Sequence, residues 1–180
     1  MRQSIFGLLA VCLTALPSFA SDLVRDGEVR GALWHEGDQK LAAEELAQFL
    51  GRIGGVAPPV RVIEDGRGPA EAEPAIILGA AALKMGLDAP PATPSRDAYA
   101  LRSRGNRLLM AGESPASTRF AVTHFLESLG CRWYMANKWG EVIPSLRTIS
   151  LHGYDVCEKP DFLSRNVWAF NGPRWRMGGL

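Results

Sequence analysis

Met110-Ala111-Gly112-Glu113-Ser114-Pro115-Ala116-Ser117-Thr118-Arg119-Phe120-Ala121-Val122-Thr123-His124-Phe125-Leu126-Glu127-Ser128-Leu129-Gly130-Cys131-Arg132-Trp133 carries a strand end, a turn, a capped amphipathic helix and a return strand in one run. Residues 108–111 close an apolar strand. Ser114 has the side chain of an N-cap, and Pro115 suits the first helical position, where no backbone N–H is needed. Ala121, Val122, Phe125, Leu126 and Leu129 recur at helical spacing and form a broad apolar stripe. Gly130 supplies a left-handed stop, after which residues 131–134 return to a sheet. The order strand, helix, strand calls for a sheet with a helix packed on it.

Just upstream, residues 97–102 and 107–111 are alternating runs joined by Ser103-Arg104-Gly105-Asn106, and Gly-Asn between such runs predicts a hairpin. Arg102, Arg104 and Arg107 gather at its tip, as a solvated turn or as an anion site. Ala75-Ile76-Ile77-Leu78-Gly79 is a continuous apolar run, the pattern of a strand covered on both faces, and residues 80–85 follow as one or two helical turns. Residues 60–63 form a short strand behind Pro58-Pro59. Leu41, Ala42, Leu46, Phe49, Leu50 and Ile53 fall on one helical face, capped by Asp38 and stopped by Gly54-Gly55. Residues 29–34 read as a first strand behind a loose polar lead-in. Downstream, residues 139–144, 148–151 and 162–170 read as short strands. The alternation, broken by one hairpin, predicts an α/β chain of the α+β type with a mixed β-sheet and helices packed on it.

The first residues have the form of a secretory signal: Arg2, an apolar run over residues 5–16, and Ser18-Phe19-Ala20 as a small-x-small cleavage site. Residues 1–20 are read as a signal peptide and the protein as exported, periplasmic or extracellular. About 160 residues remain, enough for one domain with a real core. That domain is assigned to residues 21–155, with 156–180 as a linker of different texture. The net charge of +1 with interspersed signs argues against the electrostatic footprint of a nucleic-acid or anionic-membrane binder. No later run is long and apolar enough to span a bilayer. Cleavage removes Cys12 and leaves Cys131 and Cys157. Their pairing in an oxidising compartment would close a loop of about 25 residues, worth on the order of 3 kcal/mol. The alternative is two separate buried thiols.

Residues 38–55 with the following proline pair, Ile76-Ile77-Leu78-Gly79, Asp97-Ala98-Tyr99, Leu109-Met110-Ala111-Gly112, Ser114-Pro115, Thr118-Arg119-Phe120-Ala121-Val122, Leu129-Gly130-Cys131-Arg132-Trp133 and Val142-Ile143-Pro144 carry a likeness in their order. Together they resemble the N-terminal domain of alpha-glucuronidases of glycoside hydrolase family 67. The small α/β domain preceding the barrel of beta-hexosaminidases is similar. The likeness runs over about residues 29–168 and implies an accessory fold, carbohydrate as partner, and acid–base chemistry belonging to a (β/α)-barrel that is not in this chain. Pro160-Asp161-Phe162 and Arg165 look like the start of the first barrel strand, and the resemblance gives Arg165 a sugar contact.

Arg165, Asn166 and Trp168 are accordingly the candidate substrate-binding residues. On an alternating strand Arg165 and Val167 share one face and Asn166 and Trp168 the other, so at most one pair lines a pocket. Aromatic faces stack on sugars and a guanidinium grips a carboxylate, as a uronic acid would offer; the other reading is an arginine and tryptophan buried at a domain junction. Glycoside hydrolysis needs two carboxyl groups about 5–10 Å apart, one with a raised pKa. Glu44, Glu45, Glu64, Asp65, Glu71, Glu73 and Glu127 occupy solvent-facing positions, so no catalytic residue is assigned. His35, His124 and His152 lack metal-ligand spacing, so no metal is assigned and no cofactor is expected. The turn over residues 112–118 could hold an anion at a helix N-terminus, but capping explains it better. Two functions remain: a non-catalytic accessory domain of an exported carbohydrate-active protein, or a self-standing periplasmic module binding a glycan or a protein.

Overall fold

Ala75, Ile76, Ile77 and Leu78 are wholly buried because strands flank them on both sides and side chains cover both faces. The structure, a computed structural model, describes residues 21–162 apart from Asp65 and Ala136. In chain order it begins with β1 (Asp22–Arg25), β2 (Glu28–Val29), β3 (Ala32–His35), α1 (Lys40–Gly54) and β4 (Val60–Val62). Then come β5 (Ala75–Leu78), α2 (Ala80–Lys84), β6 (Tyr99–Arg104), β7 (Arg107–Gly112) and α3 (Pro115–Ser128). The short strands β8 (Arg132–Trp133), β9 (Glu141–Val142) and β10 (Ile149–Ser150) precede β11 (Asp155–Glu158).

The main sheet is six-stranded and mixed, in the order β11-β6-β7-β5-β3-β4. β4, β3, β5 and β7 run parallel, while β6 is antiparallel to β7 and to β11. This is the α/β architecture with a mixed sheet that the alternation predicts. Because strand side chains alternate, the sheet has two cores. Leu33, Ile76, Leu78, Leu101, Leu108 and Met110 face α1 and α3. Ala32, Trp34, Ala75, Ile77, Leu109 and Ala111 face α2 and Leu87.

The strand end, turn and helix of the decisive stretch fold as read. Ser114 Oγ accepts the Ser117 N–H at 3.1 Å, Ser117 Oγ accepts the Ser114 N–H at 2.8 Å, and Pro115 follows the cap. A Cβ on Gly112 would lie 2.4 Å from the backbone of Ser117 and Thr118, so strand and helix touch main chain to main chain there. Gly130 ends the helix with φ 105°. The predicted hairpin is also present, with Arg104 opposite Arg107 across Gly105-Asn106.

Other expectations change. The lead-in is not loose: β1 and β2 form a hairpin over Asp26 (φ 52°) and Gly27 (φ 84°), the geometry of a tight two-residue turn. β1 also pairs with β10, and the buried Leu23, Val24 and Ile149 of this small sheet pack at the C-terminal end of α1. Residues 29–34 are not one strand, since the chain breaks at Gly31, where a Cβ would sit 1.8 Å from the Pro74 carbonyl oxygen. Asp38 does not cap α1. It lies in a 3-10 turn, Gly37–Gln39, and its carboxylate accepts from Gln39 Nε2 at 3.0 Å. Leu41 is exposed and Ala43 takes its place in the core, but the predicted stop stands, with Gly55 left-handed at φ 85°. Residues 131–134 do not rejoin the main sheet: among the described residues β8 pairs with β9 alone, and Trp133 packs edge-on against Phe49. β11, unforeseen, completes the sheet's edge instead.

The cysteine pair is corrected too. Cys131 and Cys157 are both free thiols. Cys131 is buried behind α3, while Cys157 faces outward on the edge strand β11.

Candidate functional site

Tyr99 on β6 and His124 on α3 meet because both elements are held by β7, and the phenol oxygen lies 3.0 Å from His124 Nδ1. Their rings are also edge-on, with centroids 5.9 Å apart. Around them opens a cleft of about 300 Å³ lined by Phe120, Glu127, Glu158 and Pro160 among others. Burial, aided by Glu158 and Glu127, pushes the Tyr99 phenol above its usual range. The phenol therefore stays protonated and serves as a hydrogen-bond partner, not as a nucleophile. The lining mixes an aromatic wall with carboxylates, suited to holding a polar ligand by contacts to its edges.

A second concentration of polar groups lies at the carboxyl end of β3, where reading the sequence assigned nothing. Trp34 Nε1, His35 Nδ1, Glu36 Oε2 and Gln39 Oε1 are buried with no hydrogen-bond partner among the described residues. Carboxyl ends of parallel strands are where open α/β sheets hold ligands, and buried polar atoms in this state take water or ligand groups as partners. Gln39 packs over Gly79 at the end of β5, and the other oxygen of Glu36 pairs with Lys84 at 2.6 Å. Burial holds the His35 imidazole below its ordinary 6.5; Glu44 opposes this and Lys40 adds to it. The signal in the sequence was a run of polar residues directly behind an apolar strand.

The carboxylates are mostly committed to the fold. Glu113 accepts from Thr93 N at 2.6 Å, from the Thr93 hydroxyl and from Ala98 N at 2.9 Å, tying residues 93–98 to the end of β7. The hydrogen bond from the Thr93 hydroxyl, foremost, holds the Glu113 carboxyl below the usual carboxylate range. Glu45 pairs with Arg119, Glu73 with Arg61, and Glu141 with Arg52.

The arginines of the hairpin tip are likewise engaged. Arg102 bridges Asp88 and Asp155, and Arg107 donates to the carbonyl oxygens of Pro69 and Ala70. Arg104 packs against Gly86. The turn over residues 112–118 is filled by its own caps, with Thr118 Oγ1 accepting the Gly112 N–H at 3.0 Å. His35, His124 and His152 are dispersed over β3, α3 and the loop after β10, and no group of three or more metal-ligating side chains gathers among the described residues. No helix there is long and apolar enough to cross a membrane. Burial pushes the Cys131 thiol up, away from nucleophilic chemistry. Arg165, Asn166 and Trp168 lie outside the described residues, as does the signal-like stretch 1–20. In comparisons with protein-family models and with curated proteins, the chain matches no family model and no curated sequence.

Proposed function

We propose that this chain is a non-catalytic α/β accessory domain of an exported carbohydrate-active protein of the alpha-glucuronidase kind, working by binding and not by bond cleavage. The observation that carries the reading is the state of Glu113. A glycosidase needs a carboxyl group whose pKa is raised by an apolar site so that it can give up a proton. Glu113, the carboxylate most deeply involved with its neighbours, is shifted the opposite way by three donors. Glu36, Glu45, Glu73 and Glu141 sit in ion pairs. The mixed sheet with helices on both faces suits the small domain that precedes hexosaminidase and glucuronidase barrels.

A second reading, a self-standing periplasmic module for a glycan or a protein, is favoured by the open cleft beside Tyr99. Both readings give one outcome: the purified chain releases no nitrophenolate from nitrophenyl glycosides or glucuronides. Release that scales with protein concentration and withstands further purification would sink both.

A further inference from the structure

α3 has a second stripe beside its buried one. Ala121, Val122, Phe125 and Leu126 lie in the core, while Phe120, Thr123, His124 and Glu127, at spacings of three and four, line the cleft beside Tyr99. The facing wall comes from the sheet. Glu158 on β11 stands directly opposite Tyr99 on β6, and residues paired in this way project on the same face. Tyr99 reaches His124 of α3, so Glu158 projects towards α3 as well. Helix and edge strand thus bring two carboxylates to one opening of about 300 Å³, and both act on the Tyr99 phenol.

These carboxylates differ from the paired ones described above. Glu36, Glu45, Glu73 and Glu141 are held by cations. Glu127 and Glu158 have no ion pair among the described residues, and of those residues Lys159 alone brings a cation to a lining that also holds Asp97. The cleft therefore carries an excess of negative charge. Phe120, 41% exposed, is the one large apolar side chain in this lining that opens to solvent. A protein interface would bury about 20–30 residues a side around an apolar centre; a single aromatic ring framed by polar groups suits a small ligand instead. The Tyr99 hydroxyl and His124 imidazole, fixed at 3.0 Å, can exchange hydrogen bonds with hydroxyl groups. Thr123 Oγ1 donates to the Arg119 carbonyl at 3.0 Å and keeps its acceptor capacity for the same purpose. The matching ligand has an ammonium group for the carboxylates, hydroxyl groups for the polar rim and an apolar C–H face for Phe120.

We propose that the cleft between α3 and β11 binds a cationic saccharide, a sugar ring bearing a free ammonium group, with the ammonium met by Glu127 and Glu158 and the ring laid on Phe120. The proposal deepens the carbohydrate-binding reading above and rests on it for the sugar skeleton, whereas the positive charge is demanded by the cleft itself.

The test is calorimetric titration of the full chain, at a pH where amines are protonated, with hexaglucosamine, its N-acetylated counterpart and hexalysine. Hexaglucosamine should bind saturably, and its N-acetylated counterpart, the same skeleton without the charge, about tenfold or more weakly. Glu127→Gln combined with Glu158→Gln should weaken hexaglucosamine by a similar factor and keep the parent's thermal midpoint, because both sites are exposed. Phe120→Ala should weaken it severalfold. Removing the same charge elsewhere, by Glu28→Gln on β2 with Glu44→Gln on α1, should leave the affinity unchanged. Absence of saturable binding overturns the proposal, and so does equal binding of the N-acetylated probe. Equal binding by the Glu127 and Glu158 double variant, or an equal loss in the Glu28 and Glu44 control, removes the site from this cleft and overturns it too. Hexalysine binding more tightly than hexaglucosamine assigns the cleft to a cationic peptide and overturns the sugar. Failure here leaves the accessory reading standing, whereas glycoside turnover would sink that reading and leave the cleft untouched.

Discussion

His35 is 3% exposed, and its burial favours the neutral imidazole. A histidine whose folded pKa lies below the unfolded value binds fewer protons when folded, so stability rises with pH through that interval. The stabilising effect is complete above 6.5 and is lost as pH falls from there towards the folded pKa. Urea midpoints measured at pH steps below 6.5 should decline, and His35→Gln should flatten that decline. An unchanged slope in the variant would place the titration elsewhere. Glu113 acts in a separate range. Its lowered pKa gives stability present above the ordinary 4.5 and lost as pH falls through the folded value. Neither role was legible from residue type. Glu113 is one acid among many until the loop at Thr93 folds back on it, and His35 ends an apolar strand whose parallel neighbours come from distant segments.

At the scale of elements, signals complete within one segment are legible and those that depend on a distant partner are not. α3 was legible because cap, stripe and stop all lie within it, and the β6–β7 hairpin because Gly105-Asn106 marks its turn. Ser114→Ala should cost about 1 kcal/mol through the lost cap. Gly112→Ala should cost more, since the new Cβ would press on Ser117 and Thr118 backbone at 2.4 Å. Chemical denaturation of the two variants checks the order; a milder Gly112→Ala would mean that strand and helix can separate there. The β1–β2 hairpin carried an Asp26-Gly27 signal as strong as any in the chain, hidden by the polar residues around Leu23 and Val24. β11 offered no such mark. Val156 is its one inward apolar residue, packed against the core, and the strand exists because β6 presents an unpaired edge. For a related reason Trp133 and Trp139 look alike in sequence, and only the fold separates the ring anchored on Phe49 from the exposed one.

For the whole molecule, the small β10-β1-β2 sheet is a clasp that joins residues near 22 and 150 over the end of α1. Leu146 N–H donating to Ile53 O at 3.0 Å strengthens the junction. Leu23→Ala, at a fully buried site, should therefore cost about 2–5 kcal/mol, whereas Leu41→Ala, on the outer face of α1, should stay within about 0.5 kcal/mol. Equal urea midpoints for the two would mean that the clasp does not share in the cooperative unit. The large sheet meets solvent along β4 and β11, whose outer backbone groups could recruit a strand from a neighbouring molecule. Arg61 stands exposed on the first, with Asp155 and Glu158 on the second. An incoming strand would have to strip water from these ions before any ladder could form. Charge at both margins thus works against the addition of a foreign strand at either end of the sheet.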